Sequence, residues 1–281
     1  MRIITDSAGD LTKEFLEKNN VELLPLIVVE GDEEFLDDGS LKSEDLIKWS
    51  YENKKTPKTS TATNEQVLKV LQKSFDTKEE TIFISISSGA SSSVNQIRKI
   101  VNDNKATDYI KVVDSKNLAM GQALIVKKIV DDRDSGKNFE EIFKNLNETV
   151  EKVKSRFVVN NLDFLKFGGR CSSLTATIGG ILKFKPLIEM VDGKLEMIKK
   201  LRGSAKNVAE KLIDDTFTSF ENIDKEYIYV SHTYPEDKDI DFFVEKIKNL
   251  NYFENVVVNK AGPIVTSHAG DYTIGIAYIE N

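Results

Sequence analysis

The chain has 281 residues, of which 40% are apolar and 30% charged, and its formal net charge is −7. This composition is typical of a globular protein. No run approaches the ~18 apolar residues that a membrane span needs. The acidic net charge, with basic and acidic residues well mixed, argues against nucleic acid as the main partner. Cys171 is the only cysteine, which excludes an internal disulfide, and residues 1–6 turn polar too soon for a signal peptide, so we expect a cytoplasmic protein.

Strand and helix patterns alternate through the first half of the chain. Apolar, β-rich stretches predict strands at 2–4, 21–29, 81–86 and 109–113. Helical periodicity predicts helices at 11–19, 43–53, 63–71 and 94–100 and a long helix from about 118. Asp10, Ser43 and Thr63 are predicted N-caps, and Thr63 with Gln66 forms a capping-box pattern. Strands separated by helices of this length imply βαβ units and a parallel, Rossmann-like sheet.

The pattern changes after a predicted helix at 139–154. Strands are predicted near 157–159, 186–191, 195–198, 226–231 and 254–259, with helices near 204–218 and 236–249. Asp192 and Gly193 form a strong hairpin signal between two of these strands. We therefore expect an α/β protein of two domains, a parallel-sheet domain at 1–155 and a mixed-sheet domain at 156–281, with a ligand between them.

A serine-rich loop at residues 86–93 lies between a predicted buried strand and the next helix. Ligands bind at this location in open α/β sheets, and the first N–H groups of a helix favour an anionic group. The loop itself has no lysine or arginine, and hydroxyls and amides suit a carboxylate, a carbonyl or a sugar oxygen. A solvated turn that caps the helix is an equally good interpretation of the loop alone.

Polar residues also follow two other strands of the predicted parallel sheet. They are Thr5, Asp6 and Ser7 after the first strand, and Asp114 and Ser115 after the strand at 109–113. A parallel sheet brings such ends to one edge, which favours a ligand site over a simple cap. The alternative is that Asp and Ser are merely common in turns.

The remaining chemistry-bearing residues give weaker signals. The two histidines, His232 and His268, are both predicted near strand ends, His268 within a strand-like run at 262–270, and a structural role is the leading alternative for each. Two isolated histidines and one cysteine do not build a metal site. A triad of Ser91, His268 and an aspartate is possible, but no G-x-S-x-G turn, G-x-G-x-x-G loop or Walker loop is present. Arg170, after two glycines, could face a ligand, a partner or solvent.

In combination, six ordered segments make the chain resemble the DegV family of bacterial fatty-acid-binding proteins from end to end. The segments are residues 5–11 (TDSAGDL), 57–63 (PKTSTAT), 86–91 (ISSGAS), 113–115 (VDS), 162–170 (LDFLKFGGR) and 266–270 (TSHAG). The chain departs from the usual family pattern at Ser92, Ser93, Ala62 and Asp271, which leaves loop shape and acyl-chain preference open.

The resemblance implies a long-chain fatty acid held between two α/β domains with its carboxylate buried. It implies hydroxyl donors to that carboxylate from Thr59 and Ser60 and from Ser91, with His268 and Arg202 nearby. It places Arg170 nearer the surface, in contact with a partner. That partner is a fatty acid kinase, which would make an acyl phosphate for phospholipid synthesis while the carrier itself catalyses nothing and needs no cofactor.

Two further expectations accompany this interpretation. The acyl tunnel has six candidate lining residues, for each of which ordinary core packing is the leading alternative: Phe157, Phe164, Leu165, Ile178, Leu182 and Phe184. The alternative function is enzymatic, either a hydrolase that uses Ser91 with His268 or a phosphotransfer protein related to dihydroxyacetone kinases.

Overall fold

Strands and helices alternate along the chain in the computed structural model, which describes residues 1–160, 162–170 and 184–281. The strands are β1 (Arg2–Asp6), β2 (Val21–Leu24), β3 (Ile27–Glu30), β4 (Glu33–Leu36), β5 (Lys58–Ser60), β6 (Thr81–Ser85), β7 (Ile110–Asp114), β8 (Val153–Val158), β9 (Lys185–Val191), β10 (Lys194–Leu201), β11 (Tyr227–His232), β12 (Asn255–Lys260) and β13 (Ile274–Ile279). The α-helices are α1 (Lys13–Lys18), α2 (Ser43–Asn53), α3 (Asn64–Thr77), α4 (Ser93–Asp103), α5 (Ala119–Asp134), α6 (Phe139–Lys152), α7 (Asp163–Phe167), α8 (Ala205–Thr216), α9 (Asp241–Lys248) and α10 (Pro263–Ala269).

The N-terminal half contains the expected parallel sheet. Its four strands lie in the order β2-β1-β6-β7, and each neighbouring pair is parallel. Every residue of β1 and of β6 is buried, as expected for parallel strands that are covered on both faces. The capping box at the start of α3 is also confirmed, because Thr63 and Gln66 bond reciprocally through side chain and backbone.

A small antiparallel sheet, which the sequence pattern did not predict, lies beside the parallel sheet. The stretch at 21–29 is not one strand but β2 and β3, separated at Pro25, which has no N–H to donate to a strand ladder. Gly31 adopts a φ of 65° and turns the chain from β3 into β4. On the other side of β3, Thr59 of β5 pairs with Val28, and this pairing fixes the position of a predicted site residue.

The C-terminal half contains the expected mixed sheet, in the order β10-β9-β8-β13-β11-β12. Only β11 and β12 are parallel to each other among these neighbours. The hairpin at Asp192 and Gly193 is confirmed, since β9 and β10 pair across it. β8 begins at Val153, and the division of domains at residue 155 stays a prediction.

Three further local predictions are wrong. Ser43 is not the N-cap of α2, because Lys42 has that position and Ser43 is the first residue of the helix, where its Oγ donates to the carbonyl of Ala261. Residues 262–270 do not form a strand: Gly262 is the N-cap of α10, Pro263 occupies its first turn, and the N–H of Gly270 bonds to the carbonyl of Thr266. Proline at that position has its φ already set for a helix, which outweighs the β-rich composition that follows. Asp10 is not the N-cap of α1, because Thr12 has that role and Asp10 itself adopts a left-handed conformation.

Helix α5 connects the two halves through a common core. Ten of its residues are buried, and they pack with Ile82 and Ile84 of β6 on one side and with Phe157 of β8 and Tyr229 of β11 on another. The first eight residues of α5, 119–126, are all buried, which is typical of a helix end that lies inside a core, whereas its second half carries the charged residues. Within the described ranges, no helix combines the length and the apolar character that crossing a bilayer requires.

Candidate functional site

A largely apolar cavity of about 260 Å³ lies where the two halves meet. This volume is far above the ~10–15 Å³ that a single water molecule needs, so an organic molecule can occupy it. The described residues that line it are Leu26, Thr59, Ser60, Thr61, Ile86, Ala90, Ser91, Ser92, Leu118, Ala119, Met120, Phe157, Leu165, Arg170, Leu195, Ser231, His232, Thr233, Ala261, Ile264, Val265, His268, Ala269, Thr273 and Gly275.

Thr59 and His268 form the polar pair of this cavity. Thr59 Oγ1 lies 2.7 Å from His268 Nε2, although the two residues are 209 positions apart in the chain. Strand β5 supplies Thr59, and the last turn of α10 supplies His268. The ring lies directly against Gly168, because a Cβ added at that glycine would be 2.2 Å from His268 Nδ1. Gly168 is therefore required for the position of the imidazole.

His268 is neutral at physiological pH. Burial lowers its pKa to about 3, and the positive charge of Arg170 acts in the same direction. His268 Nδ1 has no hydrogen-bond partner among the described residues, which favours the tautomer that carries its proton on Nε2. In that tautomer Nε2–H donates to Thr59 Oγ1, and the hydroxyl proton of Thr59 remains available to a ligand.

Ser91 lines the cavity and lies just before Ser92, the N-cap of α4, whose own side chain makes no capping hydrogen bond. The Oγ of Ser91 accepts a hydrogen bond of 3.2 Å from the N–H of Ser93, at the start of α4. The hydroxyl proton of Ser91 is not used by that bond. Ser87 fixes the loop against the β9–β10 hairpin, where its Oγ donates to the carbonyl of Gly193 over 2.6 Å.

The polar strand ends of the parallel sheet do meet, but they hold the serine loop rather than line the cavity. The carboxylate of Asp6 accepts hydrogen bonds from Ser85 Oγ at 2.6 Å and from the N–H of Ile86 at 2.9 Å. The carboxylate of Asp114 accepts from the N–H of Ser88. The strand ends therefore converge as predicted, Asp6 and Asp114 are not among the described residues that line the cavity, and ligand binding at the serine loop stays a prediction.

The two predicted arginines lie in different environments from those expected. Arg170 lines the cavity, where its guanidinium donates to the carbonyls of Ala90 and Gly168, and no carboxylate of the described residues lies within ion-pair distance of it. Arg202 is exposed and is not among the described residues that line the cavity. The cation that the serine loop lacks is thus supplied by Arg170.

Of the six residues predicted to line an acyl tunnel, two are among the described residues that line the cavity. Phe157 and Leu165 line the cavity, whereas Phe164 packs against Gly270 and Phe184 lies beside Lys200. Ile178 and Leu182 lie outside the described residues. Sequence reasoning missed Leu118, Met120, Ile264 and Gly275, although a glycine inside the apolar strand β13 is a signal for a close approach.

The geometry gives little support to other chemistries. The described residues contain no group of three or more His, Cys, Asp or Glu side chains that could hold a metal ion. His232 is buried, with Nδ1 accepting from the N–H of Tyr234 and Nε2 lying 3.4 Å from Asp237. The cavity instead combines hydroxyl donors and one arginine with an apolar wall, which suits a molecule with an anionic head and an apolar tail.

Comparisons with known proteins agree in family and fold. A family model described as "Uncharacterised protein, DegV family" matches residues 1–281. A DegV domain-containing protein of Clostridium acetobutylicum is 31% identical over 99% of this chain and 98% of its own length. A stearic-acid-binding protein of known structure from Eubacterium ventriosum is 27% identical, with a TM-score of 0.85 over 100% of this chain and 98% of that one. The structure of the Streptococcus pneumoniae fatty acid kinase B3 protein, loaded with linoleic acid, has 22% identity and a TM-score of 0.82 over 100% of this chain and 99% of that one.

Proposed function

The chain belongs to the DegV family, and from this membership and the cavity we propose that it binds a long-chain fatty acid non-covalently between its two halves. The observation that carries the proposal is the contact of 2.7 Å between Thr59 Oγ1 and His268 Nε2 in the wall of an apolar cavity. The relative of known structure that binds stearic acid supports the same ligand class.

The polar groups of the cavity suit a carboxylate head. Burying a carboxylate costs several kcal/mol unless hydrogen bonds compensate. Thr59 and Ser91 each keep a hydroxyl proton available, Ser60 lies beside Thr59, and Arg170 contributes a positive charge whose described partners are backbone carbonyls. In this proposal Arg170 is part of the head-group site, and Arg202, being exposed, is a candidate for contact with a partner protein.

The apolar wall suits an acyl tail. Each methylene group that leaves water contributes about 0.8 kcal/mol, so the tail supplies most of the affinity and the head sets the orientation. Leu118, Phe157, Leu165 and Ile264 are apolar residues of this wall. Neutral His268 is compatible with such a site because it does not add a permanent second charge next to Arg170.

We propose further that the protein is a cytoplasmic carrier, which presents the bound carboxylate to a separate fatty acid kinase for phosphorylation and so supplies phospholipid synthesis. The similarity to the fatty acid kinase B3 protein supports this role. A carrier of this kind needs a head-group site that holds the carboxylate without reacting with it. The hydroxyls of Thr59 and Ser91 have no strong base beside them, because burial lowers the pKa of His268, which contacts Thr59, to about 3 and so makes its imidazole a weak base.

The enzymatic alternative finds no specific support in the geometry. A serine hydrolase needs a histidine that takes the proton of the serine while a third group orients the ring. His268 Nε2 contacts Thr59 rather than Ser91, and among the described residues Nδ1 has no orienting partner.

The test compares the protein before and after organic extraction by native and denaturing mass spectrometry. We expect a non-covalent C14–C20 acid that organic solvent releases, while the denatured chain keeps its unmodified mass. An acyl adduct on Ser91 would favour the enzyme. Absence of any acid, together with no binding of palmitate or oleate in titration, would contradict the carrier.

A further inference from the structure

One wall of the cavity contains a notch at Gly275, where atoms of neighbouring residues lie very close to the backbone of a strand. Gly275 lies inside β13, where glycine is unfavourable unless another group comes near. It pairs with Phe157 of β8 on one side and with Ser231 of β11 on the other. Directly opposed residues of antiparallel strands face the same side of a sheet, and all three line the cavity.

The side chain of Met120 occupies this notch. A Cβ added at Gly275 would lie 2.4 Å from Met120 Cε and 2.7 Å from Phe157 Cβ. The second distance involves an atom fixed to the backbone of β8, so the notch cannot be filled by a larger residue without moving a strand. The first involves the flexible end of a methionine, which is the adjustable part of the wall.

The Cα of Met120 is fixed in the first turn of α5, whereas the end of its side chain, Sδ and Cε, can adopt several positions. Ala119 begins α5 with a φ of 47°, and Met120 follows it in the first turn, only 3% exposed. Methionine is unbranched and has three rotatable bonds, so it adapts to irregular spaces. None of the elements that form the notch, namely α5, β8, β11 and β13, carries Thr59, Ser91, Arg170 or His268.

From this arrangement we infer that Met120, seated in the notch at Gly275, sets the length of acyl chain that the cavity accepts. The inference rests on the proposed function, since it concerns the tail of the same ligand. The Met120 tip occupies space that additional methylenes of a longer chain would need. Truncating this side chain removes three heavy atoms and opens room for about two methylenes, which corresponds to about tenfold in relative affinity.

The test measures the affinities for a C16 and a C20 fatty acid by competition, for the wild-type protein, Met120→Ala and Met190→Ala. Met190 is the matched control, because it is 5% exposed in the same core cluster as Met120 but is not among the cavity-lining residues. We expect Met120→Ala to shift the C20-to-C16 affinity ratio by about tenfold toward C20, and Met190→Ala to leave this ratio unchanged.

Two results would overturn the inference: an unchanged ratio in Met120→Ala, or the same shift in Met190→Ala, which would indicate a general loosening of the core. If Met120→Ala does not fold, Met120→Leu replaces it, and a smaller shift in the same direction is expected because leucine reaches one atom less far. A wild-type protein that binds neither acid would contradict the proposed function itself, which separates that failure from a failure of this inference.

Discussion

At the scale of single residues, the proposed head-group site depends on which hydroxyl groups still have a proton to donate and on whether the neighbouring residues leave room for the His268 ring. Ser91 uses its oxygen to accept from the N–H of Ser93, and Thr59 uses its oxygen to contact His268. Both therefore remain donors. Gly168 matters for a different reason, since the absence of a Cβ leaves room for the imidazole.

Replacing Ser91 with Ala should weaken fatty acid binding by about 1–3 kcal/mol, because the buried head group loses a donor. Isothermal titration calorimetry with palmitate measures this loss. Ser88→Ala is the control, since Ser88 belongs to the same loop, is exposed and does not line the cavity. Equal affinities of Ser91→Ala and the wild-type protein would remove Ser91 from the site.

Replacing Gly168 with Ala should displace His268 from Thr59, because the new methyl group would lie 2.2 Å from His268 Nδ1. We expect destabilisation by about 1–3 kcal/mol, as for other overpacked sites, together with weaker palmitate binding. Gly262→Ala, at the other end of α10, is the control because its added methyl meets no atom nearer than 3.4 Å. Denaturant unfolding and calorimetry on both variants make the comparison, and equal behaviour would show that Gly168 does not position the ring.

At the scale of elements, the start of α10 is fastened to the N-terminal half by Asp10. Its carboxyl group accepts from Ser231 Oγ of β11 and from the N–H of Gly262, each at 2.9 Å, and its carbonyl accepts from Asn259 of β12. Burial raises the pKa of Asp10 to about 8, and nearby Asp37 acts in the same direction.

The stability of the protein should therefore fall as the pH rises from about 7 to 8. The folded state holds a proton on Asp10 that the unfolded state, with a carboxyl pKa near 3.8, has already lost, so rising pH favours unfolding. The histidine rings, which are buried and neutral in the folded state and gain a proton on unfolding below about pH 6.5, and the carboxyl of Asp37, whose pKa is about 6, change the stability mainly below this window. Urea unfolding at several pH values measures the slope.

Asp10→Asn should flatten this slope, because asparagine resembles the neutral carboxyl and does not titrate. Asp38→Asn is the control, since Asp38 is an exposed neighbour of Asp37 and keeps a lowered pKa. A slope in Asp10→Asn as steep as in the wild-type protein would show that Asp10 is not the group responsible.

Local patterns predicted these elements unevenly. Buried apolar runs were sufficient for β1 and β6, and turn chemistry was sufficient for the hairpin at Asp192 and Gly193. Helix α10 was missed because Ile264, Val265 and Thr266 are β-branched, a composition typical of strands. The proline at its start and its tertiary contacts nevertheless favour a helix at this position.

At the scale of the whole molecule, the cavity draws its walls from both halves of the chain. The position of Arg170 could not be read from the sequence, because it depends on how the segment after α7 approaches the serine loop. The same is true of Met120 and Gly275, which are 155 positions apart and meet only in the folded protein. The order of the motifs predicted the family, whereas the proximity of these residues is visible only in the folded structure.

A ligand that binds between the two halves should stabilise the whole fold. At a free fatty acid concentration 100 times the dissociation constant, linkage predicts about 2.7 kcal/mol of added stability. Differential scanning calorimetry should show a higher Tm with palmitate, whereas butyrate, which has the same head and a short tail, should produce little change. A fold whose Tm is insensitive to palmitate at saturating concentration would contradict binding to the native state.

The central claim is that the carboxylate of a long-chain fatty acid lies against Thr59, Ser91 and Arg170. The most direct test is a carbon-13 NMR spectrum of palmitate labelled at its carboxyl carbon, added to the protein at equal concentration. We predict one resonance in slow exchange, distinct from that of the free acid and shifted again in Thr59→Val. A resonance identical to that of the free acid, or one at the position of an ester, would contradict the account.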